Sequence, residues 1–185
     1  MNTTLTSTLR VYDEGDGTTP LVDTTDRDEI TRVLGAESIV FEAWNVGVPL
    51  PPAAGQDEIL AAYDADIQRL KDAYGYTTAD VIRVTPETQN VPALREKFLN
   101  EHTHSEDEVR FFVEGSASFY LRKNGKVFQA ICTRGDLIGV PANTTHWFDM
   151  GPTPEFAAIR LFVNPEGWVA NFTGDDIASR FPRYE

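Results

Sequence analysis

The pattern of hydrophobic and polar positions changes near residue 102 of this chain. Before that point the clearest pattern covers residues 56–74, where apolar and aromatic side chains recur every three or four positions. This spacing predicts an amphipathic helix, and Gly75 directly after it is typical of a helix end. We interpret the aromatic residues of this helix as core packing rather than as part of a cofactor site.

The rest of the first half predicts short elements of both kinds. Segments rich in β-branched and aromatic residues predict strands at 9–12, 39–44 and 81–84. Acidic residues in a first turn, or a proline near a first helical position, predict helices at 26–34 and 92–99. The polar stretch at 13–25 is expected to be a loop.

From residue 102 onwards, short β segments are separated by turn residues. Two of these segments flank Asn124 and Gly125, a dipeptide that favours a tight hairpin because both residues tolerate positive φ. A further strand is predicted at 156–163 and a short terminal helix at 175–181. This half of the chain therefore predicts a sheet sandwich or a barrel.

Composition is ordinary for a globular protein, with 41% hydrophobic and 24% charged residues in 185. We expect a single domain over residues 1–185, with its functional core at about 80–170, because no repeat or linker divides the chain. No apolar run approaches the roughly 18 residues of a membrane span, and no signal peptide is visible. Cys132 is the only cysteine, which excludes an internal disulfide, and we expect a cytoplasmic protein.

The formal net charge is −13, from 29 acidic and 16 basic residues. Such a surface repels nucleic acid and anionic lipid, so we expect neither as a partner, and we expect a monomer. An anionic small molecule would need cations placed close to its binding site. Arginines near a candidate site are therefore of particular interest.

All three histidines of the chain fall into a pattern that is typical of metal ligands. His102 and His104 lie two positions apart and Glu108 follows, so the three share a strand parity and are predicted to face one point. His146 comes from a later β segment. Three imidazoles and one carboxylate suit iron(II), nickel(II), manganese or zinc. Four such ligands would saturate tetrahedral zinc, whereas an octahedral ion would keep two positions open.

These residues resemble the two motifs of the cupin superfamily. The first motif is carried by His102, His104, Glu108 and Gly115, and the second by Gly135, Pro141 and His146. The chain has Asn143 and Met150 where the second motif usually has glycine and asparagine. The resemblance implies a mainly β fold, a double-stranded β-helix or jelly-roll barrel, with a few peripheral helices. Cupins support many activities, so the fold alone does not give a function.

A narrower resemblance does imply an activity. Residues 101–115 resemble the stretch typical of acireductone dioxygenases of methionine salvage, and the likeness extends through Trp147 and Phe148 to Trp168. It covers the C-terminal half well and the N-terminal half loosely. Members of that family hold one Fe(II) or Ni(II) per chain with three histidines and one glutamate. The resemblance therefore implies the metal ligands His102, His104, Glu108 and His146.

The implied reaction is cleavage of 1,2-dihydroxy-3-keto-5-methylthiopentene with O2. With iron, the implied products are 4-methylthio-2-oxobutanoate and formate. With nickel, they are methylthiopropionate, formate and carbon monoxide. The implied partners are thus a small-molecule acireductone and molecular oxygen.

Two arginines are candidates for holding the negative charge of such a substrate. A dianionic acireductone would change the charge of a metal–Glu108 centre from about +1 to about −1, which is costly at low local dielectric. Arg110 shares the parity of Glu108, so we assign it a catalytic and substrate-binding role. Arg160 lies on a mostly apolar strand face, where an unpaired guanidinium would be costly, and is a second substrate-binding candidate. A salt bridge without catalytic function is the alternative for each.

Three aromatic residues complete the implied substrate site. Phe148 lies two residues beyond His146 and is expected to line the cavity. Phe98 and Trp168 match positions that pack around the substrate in the family. Plain core packing is the alternative for all three.

Two other functions remain open from the sequence. One is a different cupin dioxygenase or isomerase that acts on another chelating substrate. The other is a non-catalytic metal-binding cupin that uses the same cavity to sense or store a ligand. The two arginines favour an anionic substrate over a neutral sugar.

Overall fold

Most of the ordered structure is antiparallel β-sheet. A computed structural model describes residues 5–51, 53–164, 166 and 169–185. Its strands are β1 (Thr8–Asp13), β2 (Asp16–Thr24), β3 (Val40–Ala43), β4 (Thr78–Val84), β5 (His102–Thr103), β6 (Glu108–Lys123), β7 (Lys126–Thr133), β8 (Asp136–Val140), β9 (Thr145–Asp149), β10 (Phe156–Phe162) and β11 (Asn171–Phe172). Its helices are α1 (Arg27–Gly35), α2 (Gln56–Ala62), α3 (Asp64–Tyr74), α4 (Val91–Leu99) and a 3-10 turn at Ile177–Arg180.

The long strand β6 belongs to both halves of the barrel. Its first part pairs with β8 and β10, and its second part pairs with β7 and β9. One sheet therefore runs β4-β10-β6-β8-β3 and the other runs β11-β5-β9-β6-β7-β1-β2. This closed, double-sheet arrangement confirms the predicted mainly β class with peripheral helices.

Gly115 lies where β6 passes from one sheet to the other. Its φ is +67°, and a Cβ added there would lie 1.8 Å from the carbonyl oxygen of Glu155. The register between β6 and β10 also shifts at this level, between Ala157 and Ala158. Only glycine fits such a position, because it combines a left-handed conformation with a close backbone approach. The glycine of the first motif is thus needed for the bend of β6.

The two faces of β6 are buried against different layers. Phe112 and Phe119 point into the barrel, where they join the main core. Phe111 and its neighbours of the same parity point outwards, where α2 and α3 cover them with Ile59, Tyr63 and Ile67. The amphipathic helices therefore seal the outer face of the sheet and lie on the side opposite the barrel interior.

The helix predicted at 56–74 is not continuous. At Tyr63 the backbone leaves helical values (φ −110°, ψ 18°), and α2 and α3 meet there. Hydrogen bonds still cross the break, because the Tyr63 N–H donates to Ile59 and its carbonyl accepts from Ile67. The apolar face of both helices therefore stays aligned, while the buried Tyr63 ring packs edge-on against Phe111 at 5.3 Å.

The prediction for residues 13–25 was wrong. The stretch 13–25 is not a loop, because most of it forms β2, an edge strand paired with β1. Its residues are all exposed or half-buried and most of them are polar. The sequence therefore lacks the alternation of apolar and polar residues that marks a strand with one buried face. The short helix predicted at 175–181 is confirmed as a four-residue 3-10 helix at Ile177–Arg180. The predicted hairpin is confirmed, with Asn124 and Gly125 both at positive φ.

Other predicted elements agree closely with the structure. Helix α1 begins after Asp26, whose side chain accepts a hydrogen bond from the N–H of Glu29 at 2.9 Å. Helix α3 ends at Gly75, which has a left-handed conformation. Among the described residues, the model contains no helix with the length and apolar character of a membrane span.

Candidate metal centre

Two short strands, with His104 directly after the first of them, bring the histidines to one end of the barrel. His102 in β5 lies directly opposite His146 in β9, and β9 in turn pairs with β6. Glu108 is the first residue of β6, and the chain turns between β5 and this point. The parity argument assumed that residues 102–108 form one continuous strand, and that assumption was wrong. The side chains meet because Glu108 lies in the part of β6 that pairs with β8, whereas His146 pairs with Leu121 in the other sheet, so the two face each other across the barrel interior.

The histidine ring nitrogens lie close enough to share one ion. One ligand atom from each of His102, His104 and His146 lies within 4.8 Å of the others. The Oε2 atom of Glu108 lies 3.1 Å from Nε2 of His146 and 3.4 Å from Nε2 of His104. All four residues are buried, with at most 9% of each exposed. Buried groups of this kind are typical of a metal site.

The hydrogen bonds of the histidines fix which nitrogen faces inwards. In each ring Nδ1 contacts a backbone carbonyl: His102 contacts Asn100 at 2.7 Å and His146 contacts Thr144 at 2.7 Å. A carbonyl oxygen can only accept, so each Nδ1 carries a hydrogen, and in a neutral ring the lone pair is then on Nε2. His104 has the same arrangement, with the Val169 carbonyl at 3.2 Å. Such backbone contacts are typical of metal-bound histidines.

This tautomer creates a conflict that a cation resolves. The lone pairs of two Nε2 atoms face a carboxylate oxygen of Glu108, and acceptor atoms repel each other unless a proton or a metal lies between them. Burial, and next the facing His146, lowers the pKa of His102 to about 4, so this ring is neutral at ordinary pH. The residues present therefore fit a divalent ion bound by three imidazoles and one carboxylate.

Arg110 holds the other oxygen of Glu108. Its Nε donates to Oε1 at 2.6 Å, and both side chains are at least nine-tenths buried. Burial alone would raise the pKa of Glu108, but the charge of Arg110 opposes it most strongly, and that pKa lies well below its usual value. Burial lowers the pKa of Arg110, and the Glu108 charge opposes this. The carboxylate is therefore ionised and oriented before any ligand binds.

The guanidinium group of Arg110 is enclosed by aromatic rings. Its Cζ lies 4.5 Å from the ring centre of Phe148 and 5.1 Å from that of Phe119. Its Nη1 is buried and has no hydrogen-bond partner among the residues that the structure describes. A buried donor without a partner is costly, and a ligand oxygen would satisfy it.

These groups line a cavity of about 490 Å³ that opens at the end of the barrel. This volume suits a small organic molecule. Of the predicted substrate-binding residues, the cavity wall includes Phe98, Arg110, Phe148 and Arg160. Phe98 in α4 contacts Phe148 edge-on at 5.8 Å. Trp168 lies outside the described residues.

Several residues of the wall were not identified from the sequence. They are apolar except for one lysine: Ile82, Leu94, Lys97, Phe119, Phe162, Val169, Ala170 and Phe172. Strand parity could have indicated Phe162, because it lies two positions from Arg160. The helical and loop residues gave no such signal, since their position depends on how α4 packs against β9.

Acidic residues beside the ligands have supporting contacts. The buried Glu101 accepts a hydrogen bond from Thr173 at 2.7 Å and pairs with Arg122. Asp107 accepts from the N–H of Ala142 at 2.7 Å. Glu106 accepts from the N–H of Asn164 at 2.7 Å. These contacts anchor the loops around the cavity.

Asn143 explains one departure from the second motif. Its φ is +59°, a left-handed conformation that glycine and asparagine tolerate best. Its N–H donates to the carbonyl of His104 at 2.8 Å, which links the two motif segments. Asparagine therefore meets the same backbone requirement as the usual glycine.

Comparisons with known proteins show which family this chain is similar to. The model of the ARD/ARD′ family matches residues 8–170. The chain is 55% identical over 177 residues to acireductone dioxygenase of Parvibaculum lavamentivorans, and the match covers 96% of each chain. It is 53% identical over 179 residues to the Hahella chejuensis enzyme of the same name, covering 97% of this chain and 96% of the relative.

A solved structure also resembles the fold. It is acireductone dioxygenase from Bacillus anthracis with a cadmium ion in its active centre. The TM-score is 0.79 and the sequence identity is 31%, with 90% of this chain and 98% of that chain covered.

Proposed function

The chain belongs to the ARD/ARD′ family of acireductone dioxygenases, and we propose that His102, His104, Glu108 and His146 form its metal centre. Like its relatives, it is a metal-dependent dioxygenase that acts on an acireductone. The observation that carries the proposed centre is the histidine tautomer, with all three Nδ1 atoms bonded to backbone carbonyls. This arrangement leaves the Nε2 lone pairs directed at one point beside a carboxylate.

We propose that the ion is Fe(II) or Ni(II), one per chain. Imidazole and carboxylate ligands discriminate weakly among first-row ions, so occupancy should follow availability. When bound, such an ion supplies Lewis acidity and a template that orients the oxygens of the substrate. The expected products are 4-methylthio-2-oxobutanoate and formate with iron. With nickel, they are methylthiopropionate, formate and carbon monoxide.

The residues of the chain supply charge and orientation. Arg110 is the catalytic residue in this proposal, because its buried Nη1 can donate to a substrate oxygen as negative charge develops there. Its Nε meanwhile keeps Glu108 ionised and fixed. Since the contact between Arg110 and Glu108 exists before substrate binds, little reorganisation of Arg110 is needed during the reaction.

Substrate binding is proposed to involve both arginines and three aromatic residues. Arg160 provides a second positive charge at the cavity wall. Phe98 and Phe148 pack against each other and exclude water from the reacting oxygens. Trp168 is included because of the family resemblance alone.

The test uses protein reconstituted separately with iron(II) and nickel(II). Oxygen uptake with 1,2-dihydroxy-3-keto-5-methylthiopentene should require metal and should stop after chelation. Carbon monoxide should form with the nickel protein only. Metal binding without oxygen uptake would instead indicate a non-catalytic metal-binding protein, and identical products from both forms would contradict the metal-dependent outcome.

A further inference from the structure

A row of charged side chains crosses the sheet beside the cavity. Asp80 in β4 lies directly opposite Arg160 in β10, and Arg160 lies directly opposite Arg110 in β6. Residues that face each other across antiparallel strands project to the same side of the sheet. Asp80, Arg160 and Arg110 therefore stand side by side, and Glu108 adjoins the row through Arg110.

Asp80 holds Arg160 at two points. Nε of Arg160 donates to Oδ1 at 2.9 Å and Nη2 donates to Oδ2 at 2.7 Å. This bidentate geometry fixes the plane of the guanidinium group as well as its position. The Arg160 side chain is only 18% exposed, and its Cζ lies 5.4 Å from the ring centre of Phe162. The arginine is therefore held against the cavity wall from two sides.

The contact with Asp80 offsets the repulsion between two neighbouring guanidinium groups. Arg110 and Arg160 carry like charges at neighbouring cross-strand positions, which is an unfavourable arrangement. Glu108 balances Arg110, and Asp80 balances Arg160. β4 is an edge strand within the described sheet, so solvent lies close to Arg160. Loss of the Asp80 charge would let Arg160 move outwards, away from Arg110.

We propose that Asp80 is a positioning residue that keeps Arg160 directed at the substrate. This inference rests on the proposed function, because it takes Arg160 as a contact for the anionic acireductone. Asp80 itself does not line the cavity as described, and it acts through the arginine. It determines whether the guanidinium group of Arg160 lies where it can contact the anionic substrate.

The kinetic test compares Asp80→Asn, Asp80→Glu and Arg160→Met, each fully loaded with iron(II). Asp80→Asn removes the charge at nearly constant volume and should lower kcat/KM about 10-fold, mainly by raising KM, since an ion contact is weakened. Asp80→Glu should recover part of this. In the Arg160→Met background, Asp80→Asn should have no further effect, because both act through one group.

A matched control exists on the other sheet. Asp23 pairs with Arg10 across β1 and β2, at 3.3 Å and in direct register, but far from the cavity wall. Asp23→Asn should therefore leave kcat/KM unchanged. Both Asp80 and Asp23 are at least 36% exposed on their side chains, so neither variant should fail to fold.

A second readout does not depend on turnover. In the diamagnetic zinc-loaded protein, the side-chain Nε–H signal of Arg160 can be assigned from its loss in Arg160→Met. It should be protected from exchange in the wild type and lose that protection in Asp80→Asn. The Nε–H signal of Arg110 should not change, because Glu108 still holds it.

Several outcomes would overturn the inference. Unchanged or lower KM in Asp80→Asn would do so, since charge balance alone predicts tighter anion binding. Additive effects of Asp80→Asn and Arg160→Met would do so as well. Absence of oxygen uptake by the wild type would overturn the proposed function instead, and the Nε–H signal would then decide the positioning role by itself.

Discussion

Replacing Arg110 with alanine tests whether this guanidinium stabilises negative charge on the substrate. The change removes a buried guanidinium that donates to Glu108 at 2.6 Å and lies over two aromatic rings. It also removes Nη1, the donor that has no partner among the described residues. A preorganised donor of this kind is worth about 2–4 kcal/mol in the transition state, or about 30- to 1000-fold in rate. We therefore expect kcat/KM to fall by that factor.

The metal should remain bound in the Arg110→Ala protein. Arginine is not a ligand, and removing a cation beside Glu108 lowers the electrostatic cost of placing a second cation there. The free energy of unfolding should fall more in the metal-free Arg110→Ala protein than in the metal-bound one. Without metal, Glu108 would be left buried and uncompensated, which costs about 3–5 kcal/mol, whereas bound metal would offset much of this loss.

The assay is steady-state oxygen uptake with metal content measured on the same samples. Arg110→Lys should recover only part of the activity, because an ammonium cannot donate to Glu108 and to the substrate with one planar group. Urea unfolding of the metal-free and loaded forms gives the stability difference. Wild-type turnover in a fully metallated Arg110→Ala protein would refute the role assigned to Arg110.

Three further outcomes are expected. His146→Ala should lose most bound metal and with it the rise in melting temperature that metal addition produces, and retention of one ion per chain would exclude His146 as a ligand. Gly115→Ala should destabilise the fold by more than about 2 kcal/mol in urea unfolding, because its Cβ would overlap the Glu155 carbonyl. Phe98→Ala should raise KM several-fold with little change in metal content, and an unchanged KM would place Phe98 in plain core packing.

The sequence predicted the features of the fold and of the site that depend on local pattern. The positive φ of Asn124 and Gly125, the helix end at Gly75 and the shared face of Glu108 and Arg110 all follow from neighbouring residues. The closeness of the three histidines was also predicted. The stated reason was incomplete, because the chain turns between β5 and β6.

Features that depend on distant partners were not predictable from pattern. Strand β2 is polar because one neighbour and solvent surround it, so no alternation marks it. The break lies at Tyr63, whose ring packs against Phe111 in a strand far along the chain, and no local pattern indicates that contact. Asp80 gave no signal at all, since only the register of β4 against β10 places it beside Arg160.

Two of the proposed ligands, His102 and Glu108, lie on strands of very different length, and this should be visible in amide hydrogen exchange. Glu108 begins β6, a 16-residue strand with neighbours on both sides, whereas β5, which carries His102, has two residues. Amides in the middle of β6 should exchange only through global unfolding, and those of β5 through a smaller local opening. Metal should therefore slow exchange near residue 102 far more than within β6. We therefore expect one half of the proposed centre to be rigid from folding and the other half to become rigid when the ion binds.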